Sequence, residues 1–120
     1  MIQISLKNPE EINLLNFNLE GIKKNNELIY KEESTDVLIR IDESVTLIRK
    51  NEDSELTLLF DVTNNSKGSY FIREVGNLEI DIKTNILEIT NNSIYTEYEL
   101  VINNEAIGLF IFKIRFEEIE

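Results

Sequence analysis

Leu78-Glu79-Ile80-Asp81-Ile82-Lys83-Thr84-Asn85-Ile86-Leu87-Glu88-Ile89-Thr90, residues 78–90, decides the fold class. Leu78, Ile80 and Ile82 alternate with Glu79, Asp81 and Lys83, a period of two that places apolar side chains on one face of a strand and charged ones on the other. A helix would need apolar residues three and four apart. The phase then changes, because Leu87 and Ile89 fall on the opposite parity. A bulge or bend near Thr84-Asn85 would restore the register.

The same alternation recurs on both sides. Val37, Ile39 and Ile41 alternate with Leu38, Arg40 and Asp42. Strands are expected at 2–7, 12–24, 27–33, 36–42, 45–50, 55–62, 69–75, 78–90, 94–103 and 106–117. Between them stand Asn25-Asn26, Asp42-Glu43-Ser44, Asn91-Asn92 and Asn103-Asn104. Asn tolerates the positive φ of tight hairpin turns better than other non-glycine residues, so consecutive strands should be antiparallel neighbours.

Asn8-Pro9-Glu10-Glu11 offers a competing helical start, with a capping residue, Pro at the first helical position and acids in the first turn. The strand carrying Leu15, Phe17 and Leu19 at period two is preferred, with at most one helical turn before it. In the last strand both parities are apolar: Phe110, Ile114 and Phe116 on one, Ile107, Leu109 and Ile111 on the other. That strand should be covered on both faces, by a short helix, a second layer or a subunit.

Such a series of hairpins forms a sandwich or a barrel, and periodicity alone does not separate them. Closure removes exposed edges. The expected architecture is therefore all-β, a single closed or nearly closed antiparallel up-and-down β-barrel of 8 to 10 strands spanning residues 1–120 as one domain. A chain of 120 residues buries roughly two-thirds of its unfolded surface, enough for one core without a metal or disulfide.

Composition narrows the chemistry. The net charge of -11, from 12 Lys and Arg against 23 Asp and Glu, repels phosphate backbones and anionic head groups, so neither nucleic acid nor a membrane surface is an expected partner. There is no Cys, which excludes thiolate nucleophiles, disulfides and iron–sulfur ligation. There is also no His, which removes the commonest general base and transition-metal ligand and the usual Ser-His-Asp pairing. No enzyme activity and no cofactor are expected.

The start Met1-Ile2-Gln3-Ile4-Ser5-Leu6-Lys7 reads as a strand and not as a secretory leader. The longest apolar run, Ala106 to Phe112, falls far short of the about 20 residues of a membrane helix. A cytoplasmic location is expected, and the sequons Asn64-Asn65-Ser66 and Asn91-Asn92-Ser93 read as turns.

Several landmarks occur in an order that resembles the YwiB-like family of uncharacterised bacterial proteins. They are Leu19-Glu20-Gly21, Tyr30-Lys31-Glu32-Glu33, Val45-Thr46-Leu47-Ile48-Arg49, the stretch from Gly76 through Leu78-Glu79-Ile80-Asp81-Ile82-Lys83-Thr84, and Tyr98-Glu99-Leu100. The likeness spans about residues 12 to 118. The chain departs from the family at Arg49-Lys50-Asn51, where the family tends to show Arg-x-Gly. It departs again at Phe71 to Gly76, where the family shows Tyr-x-Thr-x-x-Gly. The resemblance implies a calycin (lipocalin-like) barrel with a cavity, and no established activity.

Parity selects the candidate site. Arg49 shares its face with Val45 and Leu47, and Arg73 with Phe71 and Val75, so both are expected to point inward. A buried guanidinium needs a partner, which nominates Glu33, on the parity of Ile29. With Tyr30 and Phe71 these residues would make a pocket for a small apolar or anionic ligand. The alternative is a structural Arg–Glu pair in a barrel filled by its own side chains. That barrel would act through its surface, as a homodimer through Phe110 and Phe112 or the opposing Leu109 and Ile111.

The acidic stretch Glu52-Asp53-Ser54-Glu55 and the loop Asp61 to Asn65 lack the spacing of a calcium loop and read as solvated hairpin tips. Glu97 and Glu99 share a strand face, as paired carboxylates do by chance in so acidic a chain.

Overall fold

The computed structural model describes residues 2–7, 15–19 and 21–116. It contains eleven strands and, among the described residues, no helix. They are β1 (Ile2–Lys7), β2 (Leu15–Leu19), β3 (Gly21–Lys24), β4 (Glu27–Glu32), β5 (Thr35–Ile41) and β6 (Val45–Lys50), followed by β7 (Ser54–Phe60), β8 (Ser66–Ile72), β9 (Gly76–Ile89), β10 (Ser93–Ile102) and β11 (Glu105–Phe116). All lie in one sheet of order β2-β1-β11-β10-β9-β8-β7-β6-β5-β4-β3, with every neighbouring pair antiparallel. From β3 to β11 each strand simply pairs with the next.

The count exceeds the expected eight to ten because residues 12–24, read as one strand, divide into two. β2 pairs with β1 and β3 pairs with β4, so the two halves occupy opposite edges of the sheet. No ladder joins β2 to β3 among the described residues, and the observed architecture is a curled antiparallel sheet. The helical turn considered for Asn8 to Glu11 lies outside the described residues.

The curl is tight enough to bring distant strands face to face. The rings of Phe60 on β7 and Tyr98 on β10 lie 4.7 Å apart. The Lys23 ammonium of β3, at one edge, sits 5.3 Å from the ring centroid of Phe116 on β11, eight places away in the sheet. Side chains on the concave face form cross-strand rows. Ile41, Val45 and Phe60 make one; Leu28, Ile39, Leu47 and Leu58 make the next. Ile82, Ile94 and Ile114 are buried with them, so this end of the curl is filled by side chains.

The phase change in β9 is a bulge. Glu97 pairs with Ile86 and Tyr98 with Thr84, which leaves Asn85 unmatched. The extra residue turns Leu78, Ile80, Ile82 and Thr84 inward before it and Leu87 inward after it. The fully buried Thr96 hydroxyl donates to the Ile86 carbonyl at 2.9 Å, beside the bulge. A second irregularity skips Ile107, which stands exposed beside Gly108 at a φ of 153° that suits glycine.

The turns follow the Asn pairs. Asn25 has φ 55°, and Asn103 and Asn104 have 53° and 65°, the two positive values of a tight hairpin. Two acidic residues also take positive φ, Glu33 at 53° and Glu74 at 69°. The second marks an error of register in the expected strand 69–75: the strand runs three residues earlier, and Arg73-Glu74-Val75 is its turn.

Candidate functional site: a cavity at one end of the curl

The third concave row is Tyr30, Val37, Arg49, Leu56, Tyr70 and Leu78, each opposite the next across five ladders. Strand alternation therefore places a guanidinium between Val37 and Leu56, in the layer above the filled core. Glu32 lies one inward position further along β4 than Tyr30. Arg49 reaches over β5 to it, Nη2 donating to the Glu32 carboxylate at 2.5 Å. The carboxylate side chain is 11% exposed and that of Arg49 34%.

Beneath this pair is a cavity of about 120 Å³, walled by Leu47, Leu56, Leu58 and Phe112 and edged by Tyr30, Glu32, Arg49 and Tyr98. The wall is therefore apolar with a polar rim, the usual construction of a small-molecule site. Arg49 Nε is the one buried side-chain polar atom without a hydrogen-bond partner among the described residues. An orphaned buried donor costs about 1–3 kcal/mol, so a group that supplies an acceptor there would be favoured.

Both tyrosines are held in their protonated form. Burial pushes the Tyr98 phenol up to about 12, against the opposing pull of Arg49. Burial, then the Glu32 charge, raises Tyr30 further still, with Arg49 again opposing. A phenol in that state donates a hydrogen bond and does not act as a base near neutrality. Among the described residues no group of three or more acidic side chains is arranged to hold a metal ion.

Two of the five residues nominated from sequence, Tyr30 and Arg49, meet at this rim. Glu33 does not: it is exposed in the β4–β5 turn, and the carboxylate on Arg49 is its neighbour Glu32. The error came from parity. Leu28, Ile29 and Tyr30 are all apolar, yet Leu28 and Tyr30 face inward while Ile29 is 42% exposed. Lys31 shares the parity of Ile29, and a lysine without a nominated partner was the available sign that this parity faces water.

Arg73 and Phe71 do not join the site either. Phe71 is 47% exposed on the convex face, and Arg73 is exposed in the following turn, its amide donating to the Asp53 carbonyl at 2.8 Å. Tyr70, one residue from Phe71, faces inward instead. Leu47, Leu56 and Leu58 were not singled out because, as aliphatic strand residues, they look like any core positions. Their role comes only from the gap left between them.

Among solved structures, the ywiB protein from Bacillus subtilis is similar at a TM-score of 0.40 and 10% sequence identity, over 98% of this chain and 89% of that one. None of the curated proteins matches the chain. A family model described as a domain of unknown function (DUF1934) matches residues 3–114. That match covers nearly the whole chain and bears out the YwiB-like likeness of the landmark segments: the chain belongs to this family of domains of unknown function.

Proposed function

We propose that the protein is a non-catalytic binding module of the cytoplasm whose curled sheet acts as a barrel holding one small molecule in the end cavity. The observation that carries this reading is the about 120 Å³ cavity whose rim residue Arg49 has a buried Nε with no partner among the described residues. The ligand has an apolar body facing Leu47, Leu56, Leu58 and Phe112, and an oxygen-bearing end at Arg49, anionic or neutral. A dry cavity of about 150 Å³ takes a benzene ring, so about six non-hydrogen atoms is the right size. A lipid is too large. Closure in solution would run along the seam where β2 passes into β3 and β2 approaches β4.

Native mass spectrometry of the gently purified chain is expected to show a small bound mass. Fragments of about six non-hydrogen atoms are expected to raise its melting temperature. A chain that carries nothing and responds to no fragment would sink this reading.

A second reading has its own observation. On the convex face Ile22, Ile29, Leu38 and Ile48 are successive cross-strand partners across β3 to β6, and Ile22 is 63% exposed. This stripe is the longest aligned apolar row facing outward among the described residues. Of the two sides expected from sequence, the one with Leu109 and Ile111 faces outward, Leu109 being 37% exposed and Ile111 half-buried, and the other turns inward. Phe112 is buried and Phe110 is half-buried. A barrel acting through its surface, as a homodimer, would use it.

A further inference from the structure

The cavity rim is electrically complete before any ligand enters. Arg49 carries one positive charge, Glu32 one negative charge, and the two are already joined by a hydrogen bond of 2.5 Å. An anion would have to sit beside the Glu32 carboxylate, which is largely withdrawn from water, in a protein of net charge -11. Like charges in a poorly hydrated site repel far more strongly than in solvent. The ligand must therefore satisfy hydrogen bonds without bringing charge.

What the rim presents is a pair of opposite valences. Arg49 Nε has a hydrogen to give and no described acceptor to receive it, while one Glu32 oxygen takes Nη2 and the carboxylate has lone pairs to spare. Tyr30 and Tyr98, whose phenols lie near enough to feel the Arg49 charge, line the same cavity. The group complementary to a guanidinium N–H beside a carboxylate oxygen carries a carbonyl and an N–H side by side.

We propose that the end cavity binds a small uncharged carboxamide, its carbonyl oxygen accepting from Arg49, its N–H donating to Glu32, and its short branched or cyclic hydrocarbon body filling the space against Leu58 and Phe112. This rests on the reading of the cavity as a ligand site and adds the chemical class.

Isobutyramide and isobutyrate have the same shape and heavy-atom count and differ in charge. They are titrated separately into the isotope-labelled full chain and followed by the amide resonances of Glu32, Arg49, Leu58 and Phe112. Isobutyramide is expected to bind at least about tenfold more tightly than isobutyrate, since unpaired buried polar groups discriminate at that scale or above. Arg49→Lys keeps the charge facing Glu32 but lacks Nε, and is expected to weaken isobutyramide by about tenfold. Isobutyrate binding as well as or better than isobutyramide overturns the carboxamide assignment and leaves the ligand site standing. Unchanged affinity in Arg49→Lys also overturns it. If neither compound moves these resonances, the carboxamide assignment falls, and the ligand site falls with it when native mass spectrometry and the fragment melting series are also empty. The wild-type comparison needs no variant, so it decides even if Arg49→Lys does not fold.

Discussion

Tyr98 lies between two other rings, 4.7 Å from Phe60 and 5.8 Å from Phe110, and lines the cavity. Burial moves its titration from the usual 10.0 up to about 12. Between those values the unfolded chain has released the proton and the native chain still holds it. Stability is therefore complete below pH 10 and declines as pH rises toward 12. A two-unit shift corresponds to about 3 kcal/mol at the far end of that window. Tyr30 adds to the fall in the same direction. Urea midpoints measured from neutral pH into this alkaline range should drop, and should drop less in Tyr98→Phe. Equal slopes for the two proteins would show that the Tyr98 phenol is not protected as described. At this scale the sequence was half legible. Arg49 could be placed because Val45-Thr46-Leu47-Ile48-Arg49 has one polar residue, Thr46, to fix its phase. Leu28-Ile29-Tyr30 and Tyr70-Phe71-Ile72 have none, so Glu33, Arg73 and Phe71 were assigned to the wrong face or to a strand that had already ended.

Among the elements, β8 depends on Gly68. A Cβ built there would collide with the Thr57 carbonyl oxygen of β7 and press on Ile82 Cδ1 at 3.0 Å. The backbone oxygen cannot step aside without disturbing the β7–β8 ladder, which pairs Thr57 with Ser69. Gly68→Ala is expected to cost about 1–3 kcal/mol, the range for forcing extra atoms into a packed site. Chemical denaturation measures it; a loss under about 0.5 kcal/mol would mean that the two strands separate more easily than the contact implies. Most strands were readable because alternation reports burial directly, and the bulge at Asn85 was readable because the alternation itself broke phase. β8 was misplaced by three residues since Ser66-Lys67-Gly68-Ser69 has almost no apolar content. Its inward Ser66 is satisfied by a hydrogen bond to the Leu59 carbonyl, a partner that no local pattern announces. The division of 12–24 was equally hidden, because a strand that changes neighbours midway keeps its own alternation.

For the whole molecule the two faces of the sheet make opposite demands. The concave side is filled at one end and hollow at the other, whereas the convex side carries the Ile22–Ile29–Leu38–Ile48 row between flanking ion pairs, Glu27 with Arg40 at 3.2 Å and Lys31 with Asp36 at 3.9 Å. Exposed rows of this kind favour contact with a second surface, but a net charge of -11 on each copy opposes self-association. Raising the salt weakens that repulsion, so light scattering at low and high ionic strength is the informative measurement. The surface reading expects a dimer that strengthens with salt and is lost in Ile29→Lys. A monomer across all conditions removes the homodimer. Neither this balance nor the hollow end could be read from sequence, because both depend on how far the sheet curls.

The pairing of β1 with β11 sets residues 2–7 against 111–116. On the ribosome residues 2–7 emerge roughly 5 to 20 s before residues 111–116 at ordinary elongation rates. The strands from β3 onward can each add to the one just made. β1 meanwhile has only β2, and a lone two-stranded hairpin is marginal in water. Of these strands β1 is thus among the last to gain its full set of neighbours, and the newborn chain carries one side of it open until β11 arrives.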